Sequence, residues 1–171
     1  MEKQTAQHFI KCLNLQLHPE GGWYRETYRA AETIPAAALP ERFPGDRQFS
    51  TAIYYLLEEG DFSAIHRIKS DECWHWYAGG TLYIHVIEPG GNYYRVSLGC
   101  EMEKGELFQF VVPALAWFAS EPAPQSDFVL TGCTVSPGFD FSDFAMAEKN
   151  GLIDKYPNQK QLISRLCRYK G

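Results

Sequence analysis

From residue 50 onward the chain is cut into short apolar runs at intervals of about ten residues, and no long amphipathic helix separates them. That cadence constrains the fold more than any other feature. The runs fall at about 50–58, 62–68, 72–78, 81–88, 93–98, 107–112, 116–120 and 126–134, with another at 22–29, and Gly-Gly, Pro-Gly-Gly, Lys-Gly and Pro turns divide them. Many short strands at this spacing predict an all-β sandwich or barrel. The 25 Trp, Tyr and Phe residues among 171 suit such strands, because aromatic rings fit a pleated, half-buried surface. Two short helices flank the body. One is expected at 4–14, with Thr5 as its cap. The other is expected at 158–169, where Leu162, Ile163 and Leu166 form a stripe to be covered by the barrel or by a partner. Residues 30–48, rich in Ala, Pro and charge, read as a loop free to move, and Phe139–Phe144 as a cap on the body.

The length suits one domain, residues 1–171, with a core spanning about 17–144. A hydrophobic content of 45% excludes a disordered chain. No apolar run approaches the roughly 18 residues of a membrane span, and residues 1–17 mix acid, base and polar groups unlike a signal peptide. The net charge of −5 argues against nucleic acid as a partner. Residues 151–171 carry five bases against one acid, a helix face for solvent or for a neighbouring subunit. The five cysteines, at 12, 73, 100, 133 and 167, are odd in number and form no CxxC pair, which fits reduced thiols in a cytoplasmic protein.

Chemistry concentrates between Gly60 and Gly79. Alternation puts Glu72, Trp74 and Trp76 on one strand face, with Cys73 and His75 opposite. A hairpin of 66–68 with 72–76 would bring His66 and Glu72 together inside the barrel. The pair could act as general acid and base, ligate a metal, or simply fix the hairpin. Trp74 and Trp76 would stack on a flat or CH-rich ligand, or serve as core. Gln109, between Phe108 and Phe110, points either into the barrel as a ligand contact or out to solvent. Glu20, in His18-Pro-Glu-Gly-Gly, reaches the pocket mouth or only belongs to a turn. Trp117, opposite Phe118, would pack at a dimer interface, and residues 137–141 would plug one barrel end.

The spacing Gly60-x5-His66-x-Ile68-x3-Glu72-x6-Gly79 is similar to the first cupin motif. With Leu17–Tyr28, Ser50–Tyr54, Ser63–Arg67, Ser70–His75, Val111–Ala114, Trp117 and Val135–Phe144 in order, the chain resembles the single-domain cupin type 5 family, a domain of unknown function. The resemblance runs from about residue 13 to 144. It implies a jelly-roll barrel of double-stranded β-helix type, a homodimer, and a small-molecule pocket to which Phe118 would contribute. It leaves three functions open. One is an epimerase- or isomerase-like enzyme acting on a small polar, carbohydrate-like substrate through His66 and Glu72, without a cofactor. Another is a binding protein without chemistry. The third is a metal-dependent enzyme. Ile68, Leu115 and Phe118 stand where the metal-binding pattern has His, Gly and His, so a divalent metal would rest on His66 and Glu72, with His75 or His85 as substitutes.

Overall fold

The structure is a computed structural model and describes residues 5–168. In chain order the strands are β1 (Gln16–Leu17), β2 (Trp23–Arg29), β3 (Thr33–Ile34), β4 (Arg47–Gln48), β5 (Thr51–Glu58), β6 (Ser63–Arg67), β7 (Asp71–Gly79), β8 (Leu82–Ile87), β9 (Tyr93–Leu98), β10 (Gln109–Val112), β11 (Trp117–Pro122), β12 (Phe128–Ser136) and β13 (Ala145–Met146). Helix α1 (Ala6–Cys12) precedes them, and α2 (Lys149–Lys155) and α3 (Lys160–Leu166) follow.

Two sheets face one another. One has the order β1-β2-β5-β12-β7-β10 and the other β13-β6-β11-β8-β9. From β5 to β13 the chain switches sheet at almost every connection, the β8–β9 hairpin being the exception. This is a jelly roll, with sheets that face each other without closing into a continuous ring. The space between them is filled by Tyr55, Leu57, Trp74, Ile84, Val86, Phe118 and Val129. These residues come from alternate positions on both sheets, as the period-two pattern requires.

The expected hairpin of 66–68 with 72–76 does not form. Strand β6 pairs with β11 and β13 in one sheet, and β7 pairs with β12 and β10 in the other. The segment 30–48 is also more ordered than its composition suggests. Thr33 and Ile34 pair with Gln48 and Arg47, and Arg47 is buried in a bidentate ion pair with Asp143, at 2.6 and 2.7 Å.

Helix α1 starts at Thr5, whose Oγ1 accepts the His8 N–H. Residue 4 of the predicted helix lies outside the described residues. The C-terminal helix runs only over Lys160–Leu166, after a 3₁₀ turn at Pro157–Gln159, and position 169 lies outside the described residues. The helix stripe is covered by the chain's own sheet, since Ile163 and Leu166 pack with Ile65, Ile87 and Ala119. Trp117 belongs to this cluster and also stacks under Arg67. Two of the basic C-terminal residues bind the chain's own acids: Arg165 pairs with Glu121 and Arg168 with Asp61. Among the described residues no helix is long and apolar enough to cross a membrane.

Candidate functional site

A cavity of about 290 Å³ opens at one end of the barrel. Its inner wall carries His18, Glu20, His66 and Glu72, and its mouth includes Tyr24, Glu26, Arg29 and Phe141. Phe139, Phe141 and Phe144 contact one another edge to face and form one side, so the segment expected to plug the barrel end lines a cavity there.

Glu20 reaches this cavity because of the turn that carries it. The His18 N–H donates to the Gly22 carbonyl and the Gly21 N–H to the His18 carbonyl. Gly21 and Gly22 have φ of +114° and +72°, and a Cβ on Gly21 would lie 2.3 Å from the Phe62 carbonyl oxygen. Only glycine fits there. The turn is then fixed by Tyr55, whose hydroxyl donates to the Gly21 carbonyl at 2.7 Å, and by the Ala64 N–H, which donates to the Glu20 carbonyl at 2.9 Å.

His66, 2% exposed, lies 3.2 Å from Glu20 through Nε2 and Oε2. Its Nδ1 is 2.8 Å from the Ala64 carbonyl oxygen. A carbonyl only accepts, so Nδ1 carries a proton and Nε2 faces the carboxyl. Burial holds the His66 pKa down to about 4, against a weaker upward pull from the Ala64 carbonyl. Burial pushes the Glu20 carboxyl up, against the opposing effect of His18. Both shifts favour the uncharged form of each partner in this His66–Glu20 dyad. His18 borders it: the Glu20 N–H donates to His18 Nδ1 at 3.3 Å, and burial lowers the His18 pKa as well.

Glu72 faces the same cavity from the other sheet. Burial first, then the nearby Glu20 carboxyl, raise its pKa to about 8. It therefore keeps its proton at neutral pH. Cys133, its neighbour on β12, is a thiol that burial pushes well up, which makes it a poor nucleophile.

These shifts make stability depend on pH. His66 binds fewer protons folded than unfolded between about 4 and the ordinary histidine value of 6.5, so its contribution rises with pH over that window. Glu72 binds more protons folded than unfolded between 4.5 and about 8, so its contribution falls with pH there. The two offset one another up to about pH 6.5. Above it Glu72 remains. Unfolding free energy should drop by on the order of 2 kcal/mol between pH 6.5 and 8, and Glu72→Gln should flatten that limb. Urea titrations at several pH values would show it, and an equal alkaline loss in the variant would contradict it.

The other expected ligand contacts lie elsewhere. Trp74, 1% exposed, is core, edge-on to Tyr55 and Phe118. Trp76 is half-buried against Phe108 and donates its indole N–H to the Gly80 carbonyl at 2.9 Å. Gln109 is exposed and meets His75 Nδ1 at 2.8 Å, on the outer face of its sheet. Phe118 stands behind His66, with ring centroids 4.1 Å apart, and supports the imidazole without lining the cavity. Alternation gave Trp74, Trp76 and Phe118 the right face but not the right depth, and Gln109 takes the outward of its two expected directions.

The sequence reading passed over His18, Tyr24, Glu26 and Arg29. Two signals pointed to them. A Gly-Gly pair directly after a His and a Glu marks a close backbone approach beside two reactive groups. Tyr24 and Glu26 also repeat at period two on β2.

The residues do not fit the metal set of three histidines and one glutamate. Ile68 lines the cavity where one ligand would stand, and Phe118 takes the place of another. His75 binds Thr134 and Gln109, and His85 binds Tyr93 and Glu121, so neither ring is directed at His66 or Glu72. Among the described residues no group of three or more His, Cys, Asp or Glu is placed to hold a metal ion.

Two facing sheets in jelly-roll order, with polar groups gathered at one end of the barrel, define a cupin. The sequence profile described as Cupin superfamily (DUF985) matches residues 7–147, and the chain belongs to that family. Protein SO0799 from Shewanella oneidensis is 39% identical, with a TM-score of 0.87 over 98% of this chain and 100% of that one. A hypothetical protein from Leishmania major is 36% identical, with a TM-score of 0.89 over 97% and 100%. The uncharacterized protein YML079W of Saccharomyces cerevisiae is 30% identical over 148 residues, 81% of this chain and 73% of that protein. Oxalate decarboxylase from Bacillus subtilis, at 14% identity and a TM-score of 0.54 over 88% of this chain and 36% of that one, shares the fold alone.

Proposed function

We propose that this cupin binds a small polar, carbohydrate-like molecule in the barrel cavity and moves a proton on it, in the manner of an epimerase or isomerase. The observation that carries the reading is the placement of two kinds of proton site across one cavity. The His66–Glu20 dyad, with Nε2 and Oε2 3.2 Å apart, offers a site that can take up a proton. Glu72, on the opposite sheet, holds a proton it can give. A C–H next to a carbonyl would lose its proton to the dyad while Glu72 protonates the carbonyl oxygen. Charge balances, since the dyad gains one positive charge as Glu72 becomes an anion, and the reverse steps return both protons. The aromatic side formed by Phe139, Phe141 and Phe144 suits the CH-rich face of such a ring.

The test is solvent exchange. Candidate sugars and hydroxy-ketones are first screened for those that raise the melting temperature. The stabilising ones are then incubated with protein in D2O. Deuterium should enter carbon next to the carbonyl. Stabilisation without any incorporation would make the protein a binder and overturn the reading.

The same reading takes the protein as a cytoplasmic homodimer without nucleic-acid or membrane partners. The dimer is supported by the outer edge of the larger sheet, where Tyr77, Phe108 and Val111 are each about half exposed. Light scattering at micromolar concentration should give twice the mass of 19.5 kDa, and a monomer would refute the dimer.

A further inference from the structure

The His66–Glu20 contact is as well defined as the turn that carries Glu20, and that turn is fastened from the far end of the chain. Arg168 follows α3. Its Nε donates to the Glu20 carbonyl at 3.2 Å, and its Nη2 donates to Asp61 Oδ1 at 2.7 Å and to the Phe62 carbonyl at 3.0 Å. The guanidinium lies 4.3 Å over the Phe62 ring. Asp61 uses its second oxygen to accept the Gly22 N–H at 2.9 Å, so one carboxylate holds both the turn and the arginine. The fit is close: a Cβ on Gly21 would sit 2.4 Å from Arg168 Nη2.

We infer that Arg168 is a positioning residue for the dyad: by gripping the backbone of the 20–22 turn it sets the alignment of Glu20 Oε2 with His66 Nε2. The Arg168–Asp61 ion pair alone is too exposed to matter much, with side chains 39% and 32% accessible. The positioning comes from the planar fork, which serves the Glu20 carbonyl from Nε while Nη2 serves Asp61 and Phe62. A lysine, with one compact ammonium, cannot span those acceptors in the same plane. Arg165, three residues back, pairs with Glu121 on the outer face of the other sheet and leaves the turn untouched. It is the matched control. The consequence for turnover rests on the proton-transfer reading. The placement itself does not, and its test needs no substrate.

The full chain carrying 15N-histidine is compared as wild type, Arg168→Ala, Arg168→Lys and Arg165→Ala at one fixed pH. His18, Glu20, Glu72 and Cys133 are the other titratable groups lining the inner cavity with His66, and Tyr24, Glu26 and Arg29 stand at its mouth. In wild type the His66 Nε2 resonance should lie between those of a protonated and a bare ring nitrogen. In Arg168→Ala it should move away from that intermediate position, and the Gly22 amide should exchange about tenfold faster or more. Arg168→Lys should move the same signal part of the way, and it decides the matter if the alanine variant does not fold. Arg165→Ala should leave both signals at their wild-type values. Wild-type His66 signals in the Arg168 variants, or an equal displacement in Arg165→Ala, would overturn the inference. Failure of the solvent-exchange test would leave these signals unaffected, so the two readings fail separately.

Discussion

Asp143→Ala should lower the unfolding free energy by about 3–5 kcal/mol, the range for stripping one partner from a buried ion pair. Arg47 and Asp143 side chains are only 4% and 3% accessible and meet in a two-pronged contact. Without Asp143 the guanidinium keeps hydrogen bonds only to the Asp46 carbonyl and the Ser142 hydroxyl, both neutral. Arg47→Ala should cost less, because Lys69 stands 3.5 Å from Asp143 and neutralises what remains. The double variant Arg47→Met, Asp143→Leu should recover much of the loss, since no charge is then left dry. Denaturant midpoints for the four proteins complete the cycle. A loss under about 1 kcal/mol in Asp143→Ala would show that water reaches the pair.

His66→Ala should reduce solvent-exchange turnover by about 10²–10⁴-fold, the usual contribution of a positioned acid–base group. The fold should survive, because the ring lies in a cavity wall and is not at the centre of the core. Glu72→Gln should give a loss of the same order through the other proton. It keeps the shape and removes the ionisation, so ligand-induced stabilisation should persist while exchange disappears. Exchange at near wild-type rate in either variant would remove that residue from the chemistry. The two substitutions should also be less than additive, since one proton path needs both ends.

The strands from β5 to β12, and β2 before them, were legible because alternation and turn residues are local. The two-residue strands β1, β3, β4 and β13 were not, since two residues carry no period. Pairing was not legible either. His66 and Glu72 sit close in sequence and suggest a hairpin, yet a jelly roll sends successive strands to opposite sheets. Both residues still line one cavity, approached from opposite walls. The partner of His66 was hidden for a related reason. Glu20 is 46 positions away, and only the turn's glycines hint that its backbone approaches another strand. Arg47 sat in a stretch whose composition read as solvated, and its burial depends on Asp143, 96 residues later.

The turn at residues 18–22 has one more consequence. Its backbone stitches the edge of one sheet to β6 of the other, through the Glu20 carbonyl and the Ala64 N–H, while its side chains supply the reactive groups. Frame and chemistry are therefore carried by different atoms of the same residue. A descendant of this chain could exchange the Glu20 carboxyl for another group and keep the stitch, because the seam reads only the peptide. Such a site can change its reaction without first relearning how to fold.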